Sequence, residues 1–530
     1  MGNATNLIVA LDNLESEAAL WASQRLKDAS WDNSWRVVIK VNDLLGDIGL
    51  QWVGDLFENM PFRLMIDGKW HDIGETVTNY LRKLAKNEKL KDKVEYITVH
   101  ASNGRAGLSK LMAEKKKLGL DNLKILAISA LTSLNDQDTN RIFDETAKHA
   151  VLKLAKEAIE AVIDGLVCSP LEAEAVRAVY GDTLILVTPW VRFDDAKVSW
   201  DDQERVNNPE RTIRSGSTDI VMGRPILQAP SMSEAVERFF NEVQWVIPEI
   251  DLRKYAFEKL LYTGDWESLL KYIGAFYVRP ESGTYCRLTS GLLSNGYINI
   301  WASERNYLVL ERAANDLTDS ILKLSSWEKD AKGEDIPLIS PKAEKRKDIV
   351  VMGAAMWSVR LSAYLWEKLW IEESIYAEKS NPFKEAVDSI LKDDSELTSW
   401  QLKDRLRGIP KERILLWRHD IDLKGKKVIL SEDITTEWTT IEQMCAIVEE
   451  KGGEVIAITC VGNRYWKDFF EYNWKRIPLV SCFTPAAFEL FYDEKTPEKA
   501  RKNRPMLPVW ASVSNKPKDD WTELVMSMRK

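Results

Sequence analysis

The stretch Arg63-Leu-Met-Ile-Asp-Gly-Lys-Trp-His-Asp-Ile-Gly-Glu-Thr76 concentrates the chemistry of this chain. It places Asp67, Lys69 and Asp72 within six positions, directly after the apolar run Leu64-Met65-Ile66. That run reads as a buried strand, so charge collects at a strand end. Side chains alternate along a strand, which points Asp67 and Lys69 the same way and lets Asp72 close an acid–base–acid cluster. A lysine about 4 Å from a carboxylate gains roughly 4 kcal/mol at an effective dielectric of ~20. Lys69 therefore keeps its proton and is poised to deliver it. The competing reading is an ion-pair ladder that only caps a strand.

Such a cluster has to be positioned, and the flanking sequence supplies the elements. From residue 7, short β-type runs alternate with amphipathic helical stretches: Leu7–Leu11, Val37–Val41, Arg63–Ile66, Tyr96–Val99, Leu123–Ala130, Gly165–Cys168, Thr183–Val187 and Asp219–Met222. Eight strands separated by helix-period segments predict a (β/α)8 TIM barrel, with a doubly wound sheet as the rival. The run ends decide for the barrel. They carry Asp12, Lys40, Asp67 with Lys69, His100, Thr132-Ser133, Ser169-Pro170, Thr188-Pro189 and Gly223-Arg224-Pro225. A barrel gathers all eight ends at one mouth. His100 reads as a hydrogen-bonded structural residue ahead of a general base.

The motifs LIVALD, IDGKWHDIGET, TVHAS, ALTS, GLVCSP, VTPWVR, DDQERV and MGRPI follow one another over residues 7–230. In that order they resemble the orotidine 5′-monophosphate decarboxylase family. The resemblance implies a catalytic charge relay of Asp67, Lys69 and Asp72 with Lys40 alongside. Asp72, Ile73 and Thr76 would come across a homodimer interface. Asp12 and Lys40 would hold ribose hydroxyls, Ser133 the pyrimidine, and Gln203, Gly223 and Arg224 the 5′-phosphate end. A phosphate site after strands seven and eight agrees with barrel anatomy. No metal or organic cofactor is implied for this half. Lys69 would supply both the field and the proton for a carbanion-like transition state.

A domain boundary is expected near 245, dividing the chain into 1–245 and 246–530, because 530 residues suit two domains better than one. Helices are expected over 231–280, with Pro248 as a break. Strands then follow at Asp348–Met352, Ser374–Ala377, Arg413–Leu416, Lys427–Leu430, Glu454–Thr459 and Pro478–Cys482, with helices at about 358–370 and 439–451. This predicts an open parallel α/β sheet. Within it, Val428-Ile-Leu-Ser-Glu-Asp-Ile-Thr-Thr-Glu-Trp-Thr-Thr440 runs from an apolar strand through two carboxylates into a hydroxyl-rich turn before a helix. Backbone N–H groups and hydroxyls there suit an anion, while a helix capping box is the plainer alternative.

With LTSGLLSNGYINI, VVMGAAMWS and IYAEK, that stretch resembles the type I phosphoribosyltransferases, orotate phosphoribosyltransferase in particular, over roughly 260–530. The resemblance implies that Ser290 meets pyrophosphate and Lys379 reaches it. Glu432 and Asp433 would hold the ribose of phosphoribosyl pyrophosphate, and Thr435, Thr436 and Thr439 its 5′-phosphate, with Mg2+ on the pyrophosphate oxygens. Together the two resemblances imply consecutive steps, orotate to orotidine 5′-monophosphate and then to UMP and CO2. The rival readings are a single-function decarboxylase with a non-catalytic ligand-binding or oligomerisation C-terminal domain, and a barrel isomerase of another sugar phosphate.

Composition narrows the setting. The net charge of −9 argues against non-specific nucleic-acid binding, and no apolar run reaches the ~18 residues of a membrane span. Five cysteines without CxxC spacing point to neither a disulfide framework nor a zinc site, and with no signal peptide expected the setting reads as a reducing cytoplasm. The 21 tryptophans stand against only 25 glycines, where ~7% usage would give about 37. Trp190, Trp357 and Trp438 occupy positions where the resembled families have glycine, and Glu437 precedes the last of these; Trp466 looks similar. The expectation is that the source reads UGA as glycine at the tryptophan positions, with genuine tryptophan in degenerate sites as the rival reading; Glu437 is not explained by it.

Overall fold

The computed structural model describes residues 5–29, 36–195, 207–278, 286–287, 293–294, 296–298, 306–329, 335–339, 346–354, 358–380, 413–415, 422–435, 439–464, 467–485, 490–491 and 507–508. The chain divides into two units, Met1–Thr263 and Gly264–Lys530.

In the first unit the strands are β1 (Leu7–Ala10), β2 (Val37–Val41), β3 (Arg63–Trp70), β4 (Val94–His100), β5 (Lys124–Ile128), β6 (Gly165–Val167), β7 (Ile185–Thr188) and β8 (Asp219–Met222). They pair in sequence order, all parallel, and β1 pairs with both β2 (Leu7↔Val37) and β8 (Leu7↔Ile220), which closes the barrel. Near-continuous apolar runs make these strands because both faces are buried. Ile8, Val38, Met65, Tyr96, Leu126, Val167, Val187 and Val221 fill the interior. Leu7, Val9, Val37, Ile39, Leu64 and Ile66, one residue out of phase, face the helices. The helices Ser16–Ala29, Leu44–Phe57, Gly74–Ala85, Gly104–Lys117, Ala147–Glu160, Pro170–Tyr180 and Met232–Val243 supply the outer ring. The eight expected strands are thus the eight observed.

The first unit continues past residue 245 to Thr263, because the segment around the helix Ala256–Thr263 is fastened to the barrel. Glu258 pairs with Lys148, Tyr262 Oη lies 3.1 Å from His149 Nδ1, and Lys254 and Tyr255 bond Glu174 at 2.9 and 3.2 Å.

The second unit is built on a six-stranded sheet of β9 (Arg346–Gly353), β10 (Ile371–Tyr376), β11 (Lys427–Thr435), β12 (Glu454–Asn463), β13 (Phe469–Tyr472) and β14 (Lys475–Phe483), in the order β10-β9-β11-β12-β14-β13. All pairs are parallel except the hairpin β13–β14. Val350, Met352, Val428, Leu430 and Ile458 share a core with Ile441, Met444 and Val448 of the helix Thr439–Glu450. One expectation is corrected, and one edge strand of this sheet was not expected. Residues 413–415 do not join this sheet but pair antiparallel with Glu378–Ser380, since both edges of β11 are already taken by β9 and β12. The edge strand β13 was not anticipated, its hairpin turn being Asn473-Trp474 rather than a recognisable turn sequence. Among the described residues no helix is long and apolar enough to cross a membrane.

Candidate active site

Strand phase decides what reaches the barrel mouth. Residues two beyond an interior position share its direction, so the interior side chains Ala10, Val38, Met65 and Tyr96 are followed by Asp12, Lys40, Asp67 and Thr98. These four converge. Lys40 Nζ donates to Asp12 (2.7 and 2.8 Å) and to Asp67 Oδ2 (3.0 Å). Lys69 Nζ donates to the same Asp67 oxygen at 2.6 Å, and Thr98 Oγ1 donates to Asp67 Oδ1 at 2.8 Å. With its amide oriented to satisfy both ends, Asn42 accepts from Lys69 Nζ and donates to the Asp67 carbonyl, each at 3.1 Å.

Asp67 and Lys69 do meet, although simple alternation is not the route. The β3–β4 register shifts between Ile66 and Trp70, and Lys69 takes a left-handed φ of 45°, a conformation costly for a residue with a side chain. Its amide donates to Thr98 Oγ1 at 2.9 Å, which anchors the distortion. Gly68 permits it: a Cβ there would lie 2.3 Å from Trp70 Nε1. Strain of this kind is typical where a side chain must be aimed.

The electrostatics are those of a closed ion cluster. Burial works against the charge on Lys40, but Asp67 and Asp12 outweigh it and hold its pKa above the ordinary lysine value. Burial likewise works against the Asp67 carboxylate, but Lys40 and Lys69 hold it below the usual range. A buried carboxylate flanked by two ammonium groups is a fixed negative charge with N–H donors beside it. His100 is half-buried; burial, then His71 and Lys69, lower its pKa, and its ring lies 5.2 Å from that of His71. It makes no hydrogen bond to Lys40, Asp67 or Lys69.

Other expected residues are placed apart. Asp72 is exposed, with its Oδ1 accepting from the Ile73 amide at 2.7 Å and its own amide bonded to Asn103. Ile73 is 73% exposed, and Thr76 lies one turn into the helix Gly74–Ala85. Within one chain these three form a rim and do not join Lys69. Ser133 is exposed in the turn after β5. Gly223 directly follows β8, where a Cβ would come within 3.2 Å of the Ala10 carbonyl, and Arg224 comes next. Gln203 lies outside the described residues.

Three contributors were not singled out from the sequence. Thr98 and Asn42 hold Asp67 and Lys69. Arg192, just after β7, has its pKa lowered by burial and then by the nearby guanidinium of Arg224, so two cations sit together after strands seven and eight. Interior phase in TVHAS and the arginine in VTPWVR were the available signals. Trp190, also in that motif, has φ 66° and its indole Nε1 donates to Thr132 Oγ1 across the mouth.

The orotidine 5′-phosphate decarboxylase / HUMPS family model matches residues 5–239. The orotidine 5′-phosphate decarboxylase of Idiomarina loihiensis is 35% identical over 239 residues, spanning 45% of this chain and 97% of that protein. This chain belongs to the orotidine 5′-phosphate decarboxylase family. The Parasynechococcus marenigrum decarboxylase is 34% identical over 241 residues, covering 44% of this chain and 92% of its own length. Among solved structures, the Lactobacillus acidophilus decarboxylase aligns with 30% identity and TM-score 0.38, over 45% of this chain and 98% of its own. Leishmania donovani UMP synthase aligns with 15% identity and TM-score 0.34, over 87% and 86%. The decarboxylase family acts in pyrimidine synthesis without a cofactor, and its members match the barrel that carries the Lys40–Asp67–Lys69 cluster.

In the second unit, β11 runs on through the expected carboxylates. Glu432 is buried, Asp433 Oδ1 accepts from the Ile434 amide at 2.7 Å, and Thr435 is buried with its hydroxyl on Asn463 Oδ1 at 3.2 Å. Thr439 opens the helix Thr439–Glu450, and Lys379 lies on the short strand Glu378–Ser380. Ser290, Thr436, Glu437, Trp438, Trp357 and Trp466 lie outside the described residues.

Proposed function

We propose that the chain is a bifunctional UMP synthase. Its barrel, in the first unit, would decarboxylate orotidine 5′-monophosphate, and its second unit, from Gly264, would be an orotate phosphoribosyltransferase of the type I fold that makes this substrate from orotate and phosphoribosyl pyrophosphate. The observation that carries the first half is the Lys40–Asp67–Lys69 cluster at the mouth of a barrel from this family. The carbon–carboxylate bond of the pyrimidine breaks, CO2 leaves, and the bonding electron pair stays on the ring carbon. Lys69 stabilises that pair and donates an Nζ proton to it, so a C–H bond replaces C–CO2. Asp67, charged and unable to move, disfavours the substrate carboxylate more than the transition state in which that charge has left. Asp12 and Lys40 would hold ribose hydroxyls, Ser133 the pyrimidine, and Arg192 and Arg224, with Gln203 and Gly223, the phosphate.

Asp72, Ile73 and Thr76 are assigned to the partner's site in a homodimer. The exposure of Asp72 and Ile73, with the Asp72 carboxylate bonded to the Ile73 amide and not to Lys69, supports this. Mixing inactive Lys69→Ala and Asp72→Ala chains would then restore part of the activity, and no recovery would refute a shared site.

For the second half, support comes from the motif order and from a mostly parallel sheet whose central strand β11 carries Glu432 and Asp433 near its C-terminal end. These would hold ribose hydroxyls, with Ser290 and Lys379 at pyrophosphate and Thr435, Thr436 and Thr439 toward the 5′-phosphate. Mg2+ would enter as the magnesium complex of phosphoribosyl pyrophosphate, whose own oxygens supply most of the ligation. One observation favours the rival reading, a non-catalytic second domain: the Thr435 hydroxyl is turned inward to Asn463. Release of pyrophosphate from orotate and phosphoribosyl pyrophosphate by the purified chain decides between them. Its absence, with decarboxylation intact, would leave a single-function enzyme.

A further inference from the structure

Eight described non-glycine residues adopt positive φ: Asn13, Lys69, Asp144, Val162, Trp190, Trp370, Asn473 and Trp474. Asn and Asp tolerate this region, and Lys69 belongs to the strained site. Three of the remaining four are tryptophan, a residue that makes up 21 of 530 positions. A bulky side chain gains nothing from a left-handed backbone.

Each of the three occupies a different motif, and each motif asks for glycine. The helix Val359–Lys368 is capped by Leu369, and Trp370 follows at φ 50° with its amide donating to the Glu367 carbonyl at 3.0 Å. Gly119, Gly274 and Gly452 sit at the same step after their own helices, with φ of 65°, 74° and 77° and the matching bonds to Lys116, Lys271 and Glu449. This is the left-handed helix C-terminus that glycine serves. Trp474 is the second residue of the two-residue hairpin between Tyr472 and Lys475, after Asn473, with φ of 46° and 67°. Two positive φ values in such a loop mark a type I′ turn, for which Asn-Gly is the favoured pair. Trp190 follows Pro189 at φ 66°, the Pro-then-left-handed pattern of a type II turn.

Packing does not explain the indoles at 370 and 474. Trp474 is fully exposed and Trp370 is 53% exposed. By contrast, Trp266 is buried, donates Nε1 to Asp316 at 2.8 Å and lies under Arg312, while Trp70 stacks on Tyr80 at 4.9 Å between ring centroids. Neither of these two has positive φ.

We propose that the protein made by its source carries glycine at 190, 370 and 474, because its ribosomes read UGA as glycine, whereas Trp70 and Trp266 are genuine tryptophan. One codon meaning then accounts for one residue type recurring in three unrelated glycine motifs. At 190 there is a functional consequence, which rests on the decarboxylase reading: without the indole on Thr132, the turns after β5 and β7 separate and the mouth beside Arg192 and Arg224 opens to a phosphate ester.

The test reads codons and peptides. UGA at 190, 370 and 474 with UGG at 70 and 266, and glycine at those three positions in peptides from the source, are the expected results. UGG at 370 or 474, tryptophan in the source peptides, or UGA at 70 or 266 with the indole retained would each overturn the proposal. In the recombinant chain, Trp370→Gly and Trp474→Gly should each raise Tm by about 2–4 °C, and no rise at either overturns it. Trp190→Gly should increase decarboxylase turnover at limiting substrate. No increase there, with the codon and peptide results as expected, would count against the decarboxylase reading and leave the recoding intact.

Discussion

The barrel and the open sheet assemble their candidate sites in opposite ways. In the barrel, Asp12, Lys40, Asp67 and Thr98 come from the ends of four strands, and the bonds that join them span 27 to 31 residues of sequence. In the second unit the candidate carboxylates Glu432 and Asp433 are neighbours on one strand end. A closed barrel makes distant residues converge on its axis, whereas an open sheet presents what lies together in sequence. The barrel site is therefore a mutually compensated ion cluster, and damage to one member reaches the others. The sheet site is modular.

The largest effect expected from that contrast is at Lys69. Lys69→Ala should reduce decarboxylation by at least about 10³-fold, since it removes both the proton and the field, while pyrophosphate release from orotate by the same preparation is unchanged. Parallel loss of both activities would break the comparison. Next is Lys40→Met, which leaves Asp67 and Asp12 buried or half-buried with one cation fewer. Losing one partner of a buried pair costs about 3–5 kcal/mol, readable as a lower denaturant midpoint for the barrel transition. An unchanged midpoint would mean that the cluster is not coupled.

Smaller losses belong to the pair of arginines. Arg192→Ala and Arg224→Ala should each weaken UMP binding by about 1.5–3 kcal/mol, one to two decades in Kd, with modest change in turnover at saturation. Asp433→Asn should raise the concentration of phosphoribosyl pyrophosphate needed by the second domain and leave decarboxylation untouched; an effect on decarboxylation would show that the sites are not modular.

The smallest effect concerns the other end of the barrel, where Asp219 opens β8. Burial pushes its carboxyl up to about 6, against bonds from the Asn6 amide and Thr218 that favour its charge. Because the folded pKa exceeds the unfolded value, the folded state binds the proton more tightly, and stability falls as pH rises from about 4 to about 6. The penalty is complete above that window. Asp219→Asn should therefore raise the barrel's Tm more at pH 8 than at pH 4, as read by thermal melts at the two pH values, and an equal shift at both would exclude this group as the cause.

Much was already legible in the chain. Eight apolar runs at regular spacing determined the barrel, since strands buried on both faces need continuous apolar sequence, and the polar residue ending each run marked the mouth. Asp67 and Lys69 were legible because they stand two apart at such an end. The strand–carboxylate–hydroxyl order of 428–440 was legible because it is local. Tertiary structure alone decided the rest. The bulge and left-handed Lys69, not plain alternation, bring its Nζ to Asp67, and Thr98, Asn42 and Arg192 enter the site only when distant strand ends meet. It placed Asp72 on the rim, bonded Thr435 inward to Asn463, and carried the first unit on to Thr263 by fastening its last helix to Lys148, His149 and Glu174. Local order fixes which residues can form elements. Which of their side chains touch depends on contacts between positions far apart in sequence, and a pattern with a period of two or 3.6 carries no record of those contacts.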